Sequence, residues 1–189
     1  MERPPVKKPN SNCVRRWSRF AAVAALLTCS IAHAVSTNYE LKAAYIARFT
    51  EFIEWPASAA HHPDTPRAFT ICVYGNDPIL GPLEQLPQLL KDTNRRIEIR
   101  RVDRPQDSVT CDIVFVPYSA NEHVAQITAH TEHKPILVIN EIQGVPAHGQ
   151  LISLYTEGER LRIEIHLRAA QDAGLKISAR LLKLANVVE

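Results

Sequence analysis

The chain has 189 residues, of which 46% are hydrophobic and 22% are charged. Its 22 lysines and arginines and 20 aspartates and glutamates give a formal net charge of +2. The first 34 positions hold six of the basic residues and one acidic residue, so the remainder carries 16 basic and 19 acidic side chains, a formal −3. A nucleic-acid-binding domain needs a basic surface, and this charge balance excludes that class of protein.

The first 34 residues have the three parts of a secretory signal peptide. A basic stretch that ends at Arg19 precedes a mostly apolar run from Phe20 to Ile31, and Ala32-His33-Ala34 provides small residues at the two positions that signal peptidase reads. The run is too short to cross a bilayer, which needs roughly 20 residues, and this disfavours the alternative of a membrane anchor. The sequence therefore predicts secretion with cleavage after Ala34, and residues 35–189 suffice for a single domain.

Hydrophobic periodicity in the remaining residues predicts alternating helices and strands. In chain order we expect a helix at 37–54, a strand at 69–74, a helix at 78–91, strands at 96–102 and 111–116, a helix at 119–133, a strand at 135–139, a hairpin of 150–155 with 160–167 around Gly158, and closing helices at 168–173 and 178–188. This order predicts an α/β fold with a Rossmann-like, mostly parallel sheet, crossover helices and a C-terminal antiparallel hairpin edge.

Two cysteines, Cys72 and Cys111, remain once the predicted signal peptide is removed. An even number of cysteines in an oxidising compartment favours a disulfide. Both lie in strand-like runs that can be neighbours in a parallel sheet. The alternative is a pair of buried free thiols. A redox-active pair is disfavoured because the sequence has no Cys-x-x-Cys spacing.

The sequence lacks the motifs that indicate an enzyme or a cofactor site. The first strand–helix turn, Gly75 to Gly81, has neither the glycine-rich dinucleotide fingerprint nor a phosphate-binding loop. No nucleophile elbow and no His-Glu-x-x-His helix occur. His123, His130 and His133 share one face of a predicted helix with a spacing that metal ligands can use, but the polar residues around them favour a solvated surface. We therefore predict no enzyme, no metal and no cofactor.

The second strand of the hairpin places Glu164 and His166 on one face, in alternation with isoleucine and leucine. We interpret this face as exposed, because a carboxylate that is buried without a partner is costly. The alternative is a buried Glu164 paired with Lys176, Arg180 or Arg48.

Four segments together resemble the YfiR-like family of periplasmic proteins. They are Arg48–Pro56, the strand from Phe69 with its turn to Pro78, Cys111–Val116, and the closing stretch Gly158–Ala185. The resemblance implies a non-enzymatic periplasmic repressor. Its implied partner is an inner-membrane protein with a periplasmic sensor domain, a diguanylate cyclase, whose inhibition lowers cyclic di-GMP output and biofilm formation. It also implies a homodimer.

The resemblance also implies which cysteines form a disulfide. Cys72 and Cys111 match the disulfide of the family. A second cysteine pair, present in its best-known member, has no counterpart here, because positions 145 to 152 contain no cysteine. We predict that the remaining bridge is structural.

The resemblance also implies a small-molecule site near the Trp-Pro corner and the last strand. The matching positions are Glu54, Trp55, Glu164, Lys176 and Ser178, although Glu54 and Ser178 lack the basic character expected there. A periplasmic module that binds a nucleotide or an amino acid, without direct control of a cyclase, is therefore the alternative to the repressor.

Overall fold

The computed structural model describes residues 38–56, 68–89, 96–143 and 149–188, which contain nine strands, five α-helices and two 3-10 helices. The predicted signal peptide lies outside these residues. In chain order the elements are α1 (38–52), β1 (Ile53–Glu54), β2 (Phe69–Tyr74), α2 (Leu80–Leu89), β3 (Ile97–Val102), β4 (Ile113–Val116), α3 (Val124–Thr131), β5 (Leu137–Asn140), β6 (Ile152–Glu157), β7 (Arg160–His166), α4 (Leu167–Asp172), β8 (Lys176–Ile177), α5 (Ala179–Leu182) and β9 (Asn186–Val188).

Seven of the strands form one sheet in the order β3-β2-β4-β5-β6-β7-β9. Strands β3, β2, β4, β5 and β6 are parallel neighbours, β6 and β7 form the antiparallel hairpin, and β9 pairs in parallel with β7. The hairpin turn contains Gly158 at φ +61°, a conformation that favours glycine. The predicted fold class, a mostly parallel α/β sheet with an antiparallel pair towards one edge, is confirmed.

The central strands are buried on both faces, as parallel strands covered by helices require. Every residue of β2, β4 and β5 is buried. On one face Ile113 belongs to a core cluster with Phe49 of α1. On the other face Val114 clusters with Ile127 of α3. Helix α1 is therefore part of the core and carries a second, outward-facing surface.

A disulfide joins Cys72, in β2, to Cys111, two residues before the start of β4, with 6.0 Å between the two Cα atoms. Both cysteines are buried. The bridge connects the neighbouring parallel strands β2 and β4, so it reinforces the centre of the sheet.

We expect the double variant Cys72→Ala/Cys111→Ala to lose about 3–4 kcal/mol of unfolding free energy, because the bridge closes a loop with a sequence separation of 39. Urea denaturation under oxidising conditions measures the loss. Free thiols in protein purified from the periplasm, or an unchanged midpoint in the double variant, would contradict a structural role.

Two predicted helices are shorter than expected. The first ends at residue 52, because Ile53 and Glu54 form a strand instead. The helix predicted at 119–133 begins with a 3-10 segment, Tyr118–His123, and only Val124–Thr131 is α-helical. At Ile53 and Glu54, pairing with another strand overrides local helix propensity. In the segment 118–123, Ala120 has non-helical dihedral angles, φ −117° and ψ 19°, which interrupt the helical conformation before α3 begins.

The helix predicted at 178–188 is wrong beyond its first turn. Only Ala179–Leu182 is helical, and Asn186–Val188 forms strand β9. Two adjacent valines favour a strand. The outer edge of β7 offers unpaired backbone groups, and pairing with β9 satisfies them: Ile165 lies opposite Val187, and Glu164 lies opposite Asn186.

The predicted exposure of Glu164 and His166 is also wrong, since their relative exposures are only 4% and 3%. Strand β9 covers the outer edge of β7, so β7 is an interior strand. The Nδ2 atom of Asn186 donates a hydrogen bond to Oε2 of Glu164 at 3.2 Å. Asn140, Ser153, Glu164 and Asn186 are paired in register across four adjacent strands. The buried carboxylate is thus part of a polar row, and its hydrogen bond from Asn186 lowers the cost of its burial.

His166 provides a pH-dependent term in stability. Burial lowers its pKa from the ordinary value of 6.5, and the nearby Glu164 carboxylate opposes this effect only in part. The unfolded chain therefore binds a proton at higher pH than the folded one. The stability that comes from neutral His166 is fully present above about pH 6.5 and is lost as the pH falls below it.

We expect the unfolding free energy of the native protein to decrease between pH 7 and pH 5, and His166→Leu to flatten this decrease by up to about 1.4 kcal/mol per pH unit. Urea titrations at several pH values measure the slope. The matched control is His130→Leu, because His130 is exposed. Equal slopes for the native protein and the His166 variant would show that this residue does not titrate on unfolding.

Candidate functional site

The first helix and the last helix are held together by a small second sheet. Strand β1 continues directly from α1 and pairs antiparallel with β8, with Ile53 opposite Ile177 and Glu54 opposite Lys176. The amide of Ser178 extends this pairing, because it donates to the carbonyl of Phe52 at 2.9 Å. The chain therefore leaves β8 beside the end of α1.

Local caps fix the direction in which α5 begins. Gly174, at φ +75°, ends α4, and the Leu175 amide donates to the Ala170 carbonyl at 2.9 Å, which is typical of a glycine-terminated helix. Ser178 then caps α5, since its Oγ accepts a hydrogen bond from the Leu181 amide at 3.3 Å. Both caps place α5 alongside α1.

An apolar groove of about 440 Å³ lies between α1 and α5. Its floor is buried and consists of Phe49, Ile163 and Leu181. One wall is open to solvent, because Leu184 is 71% exposed. The full lining comprises Ala44, Tyr45, Arg48, Phe49, Phe52, Ile163, Arg180, Leu181 and Leu184. A large exposed leucine beside an apolar groove is typical of a binding surface.

The two charged residues of the lining, Arg48 and Arg180, are both cationic. The guanidinium of Arg180 lies over the ring of Phe52, 5.6 Å from its centroid, a distance suited to a cation–π contact. Arg48 forms an exposed ion pair with Glu51 at 3.0 Å. The groove therefore combines an apolar floor with positive charge at its rim.

The predicted ligand residues Glu54, Trp55, Lys176 and Ser178 come together at the corner formed by β1 and β8. Trp55 packs edge-on against Phe69 with 4.8 Å between ring centroids. None of these four residues lines the groove among its described residues. They form the corner that sets the spacing of the two helices.

Glu164 belongs to the larger sheet, on the same strand as the groove residue Ile163 but with its side chain in the polar row described above. The groove itself was not predicted from the sequence. Two features of the sequence could have indicated the groove. They are the apolar positions 45, 49 and 52, which recur at helical spacing, and Leu184 close to the C-terminus.

The three histidines considered as metal ligands have separate neighbours. The ring of His123 lies 5.1 Å from that of Tyr74, and Nε2 of His133 is 3.6 Å from Oε1 of Glu132. Among the described residues, no group of three or more histidine, cysteine, aspartate or glutamate side chains is arranged to hold a metal ion.

A second cavity of about 380 Å³ lies between α3 and the α4 region. The hydroxyls of Thr128 and Thr131, which line it, already donate to helix carbonyls of Val124 and Ile127 at 3.0 Å. These polar groups therefore have less capacity to bind a ligand, and the α1–α5 groove is the stronger candidate.

The described residues form an α/β protein with a mostly parallel sheet and an apolar groove between its first and last helices. The chain belongs to the YfiR/HmsC-like family, which it matches over residues 39–186. This confirms the resemblance seen in the sequence. The family is one of periplasmic, non-catalytic regulators of diguanylate cyclases. Within the described residues, no helix combines the length and apolar character needed to cross a membrane.

Two solved structures that partly resemble this chain are remote from it in sequence. The ABC domain in complex with L-Trp from Streptococcus pneumonia has a TM-score of 0.48 and 13% identity, with coverage of 66% of this chain and 56% of that one. A ligand-free, open substrate-binding protein with adhesive properties from Clostridium difficile has a TM-score of 0.44 and 12% identity, with coverage of 66% and 55%. This chain thus spans just over half of each structure. No curated protein matches it significantly.

We expect Ser178→Ala to lower the unfolding free energy by about 1 kcal/mol, because α5 loses its N-cap acceptor. Ser178→Asp, which retains a capping oxygen, should preserve most of it. Urea denaturation compares the three proteins. Equal stability of the native protein and the alanine variant would show that the cap does not hold α5 in place.

Proposed function

We propose that this protein is a periplasmic regulator that binds the periplasmic sensor region of an inner-membrane diguanylate cyclase and lowers cyclic di-GMP synthesis, and with it biofilm formation. Membership of the YfiR/HmsC-like family supports this proposal. The α1–α5 groove is the observation that carries it, because a non-catalytic regulator needs an accessible surface for its partner.

The groove offers the physical properties of such a surface. Its floor is preformed and packed into the core, so binding does not have to order it. Burial of the exposed Leu184 side chain and the half-buried Phe52 ring in a complex is favourable by about 25 cal/mol per Å² of apolar area. Repression follows if the complex forms more strongly with the inactive conformation of the cyclase, since only differential affinity shifts an equilibrium.

Export and assembly form part of the same proposal. Cleavage after Ala34 would leave residues 35–189 in the periplasm, and α1 (38–52) would begin at the fourth residue of the mature chain. A homodimer would present two grooves to the two subunits of a dimeric partner. Mass spectrometry of protein purified from the periplasm tests the cleavage site.

The test of the function compares two variants at exposed apolar positions. Leu184→Glu places a charge in the groove wall, whereas Val109→Glu changes an exposed valine, 41% accessible, that does not line the groove. We expect Leu184→Glu to raise cellular cyclic di-GMP to the level of a gene deletion and to abolish in-cell crosslinking to the cyclase. Val109→Glu should behave as the native protein.

Retention of full repression by Leu184→Glu would show that the groove is not the regulatory surface. Failure of the native protein to crosslink to any cyclase with a periplasmic sensor region, together with unchanged cyclic di-GMP in the deletion strain, would refute the regulator itself. Thermal melts of both variants confirm that they are folded.

A further inference from the structure

We infer that the groove binds an amphipathic helix of the partner and that a carboxylate on this helix pairs with Arg180. The inference rests on the proposed function, because it specifies which part of a cyclase's sensor region the groove would hold. Its support comes from the spacing of the groove residues and from the charge at the rim.

The spacing of the α1 residues fits a helix. Ala44, Arg48 and Phe52 form one row at intervals of four, and Tyr45 and Phe49 form a second row beside it. Such rows are the ridges between which side chains of another helix insert. Together they extend over nine residues, about 12 Å along the axis, which corresponds to roughly two turns of a bound helix. Apolar anchors at intervals of three and four residues meet this surface.

The charge at the rim calls for an acidic residue. Among the described residues that line the groove, none is acidic. Arg48 has a partner in Glu51. Arg180 makes no ion pair with a carboxylate in the described parts of the chain, and its guanidinium rests on the Phe52 ring. A carboxylate of a bound helix would complete its charge-assisted hydrogen bonds next to the apolar floor, where exclusion of water strengthens them.

The same charges disfavour a second copy of this chain as the occupant. A two-fold axis through the groove would place Arg48 and Arg180 of one copy close to those of the other, and like charges across an interface are costly. The exposure of Leu184, 71%, leaves one side of the groove open. A single acyl chain in this groove would keep part of its surface in water, whereas a helix covers the opening with its backbone and flanking side chains.

The direct test uses three synthetic amphipathic peptides. All have leucines at intervals of three and four residues, and they differ at one position on the border of the apolar face, which carries glutamate, glutamine or lysine. Fluorescence anisotropy with the mature protein measures their affinities. We expect the glutamate peptide to bind at least about fivefold more tightly than the glutamine peptide, and the lysine peptide to bind most weakly. Added salt should reduce these differences.

Arg180→Glu should reverse the order, so that the lysine peptide binds best. The matched control is Lys183→Glu, which makes the same change in net charge at an exposed residue outside the groove lining, and it should keep the native order. Equal binding of the three peptides by the native protein, or an unchanged order in Arg180→Glu, would overturn the inference.

Other occupants give distinct results. One-to-one binding of sodium dodecanoate that none of the peptides displaces would identify a lipid site and overturn the helix. A dimer that Leu184→Glu dissociates in sedimentation experiments would identify a second copy. In cells, Leu184→Glu could lose crosslinking to the cyclase while Arg180→Glu keeps it. That result would refute the pairing of an acidic helix with Arg180 but would not contradict the proposed function. If the three peptides bind in the expected order but no cyclase is found as a partner, the proposed function is refuted and the inference of a bound acidic helix remains.

Discussion

The antiparallel pairing of Ile53 and Glu54 with Ile177 and Lys176 is the constraint on which the candidate site depends. It is only two residues long, but it joins the end of the first helix to the start of the last one. The backbone bond from Ser178 to Phe52 extends the pairing to the first residue of the α5 cap. Because α1 is anchored in the core through Phe49, the position of α5 and the width of the groove follow from this pairing.

The outer half of the larger sheet depends on a second constraint, the pairing of β9 with β7. This pairing turns β7 into an interior strand, and Glu164 and His166 of that strand are buried. The buried carboxylate then has a hydrogen bond from Asn186, a residue of the covering strand itself. The C-terminal strand therefore extends the polar row by Asn186 and provides a hydrogen bond to Glu164. This contact couples the last strand to the stability of the hairpin.

Much of the fold could be predicted from the sequence because the central strands have a strong signal. Continuous apolar runs at 69–74 and 113–116 leave few alternatives to buried parallel strands, and Gly158 marks the hairpin turn. The burial of Glu164 and His166 was harder to predict. Alternation shows which residues share a face, but it does not reveal whether that face is buried or whether another strand extends the sheet beyond β7, as β9 does here.

The candidate site was harder to predict for a similar reason. Strands β1 and β8 have two residues each, so they have no periodicity to detect. The corner residues Glu54, Lys176 and Ser178 were identified through family resemblance, and the structure gives them a supporting position. The groove is formed by side chains more than 100 positions apart, from Ala44 to Leu184, and no local pattern predicts such a meeting.

Because the groove lies between the first and last helices, an incomplete chain cannot form it. A chain that is truncated before Leu184, or that has not completed its passage across the membrane, lacks one wall of the surface even if its central sheet has formed. Such an incomplete molecule would be unable to engage a partner through the groove. The groove is therefore complete only in a molecule whose whole domain has folded.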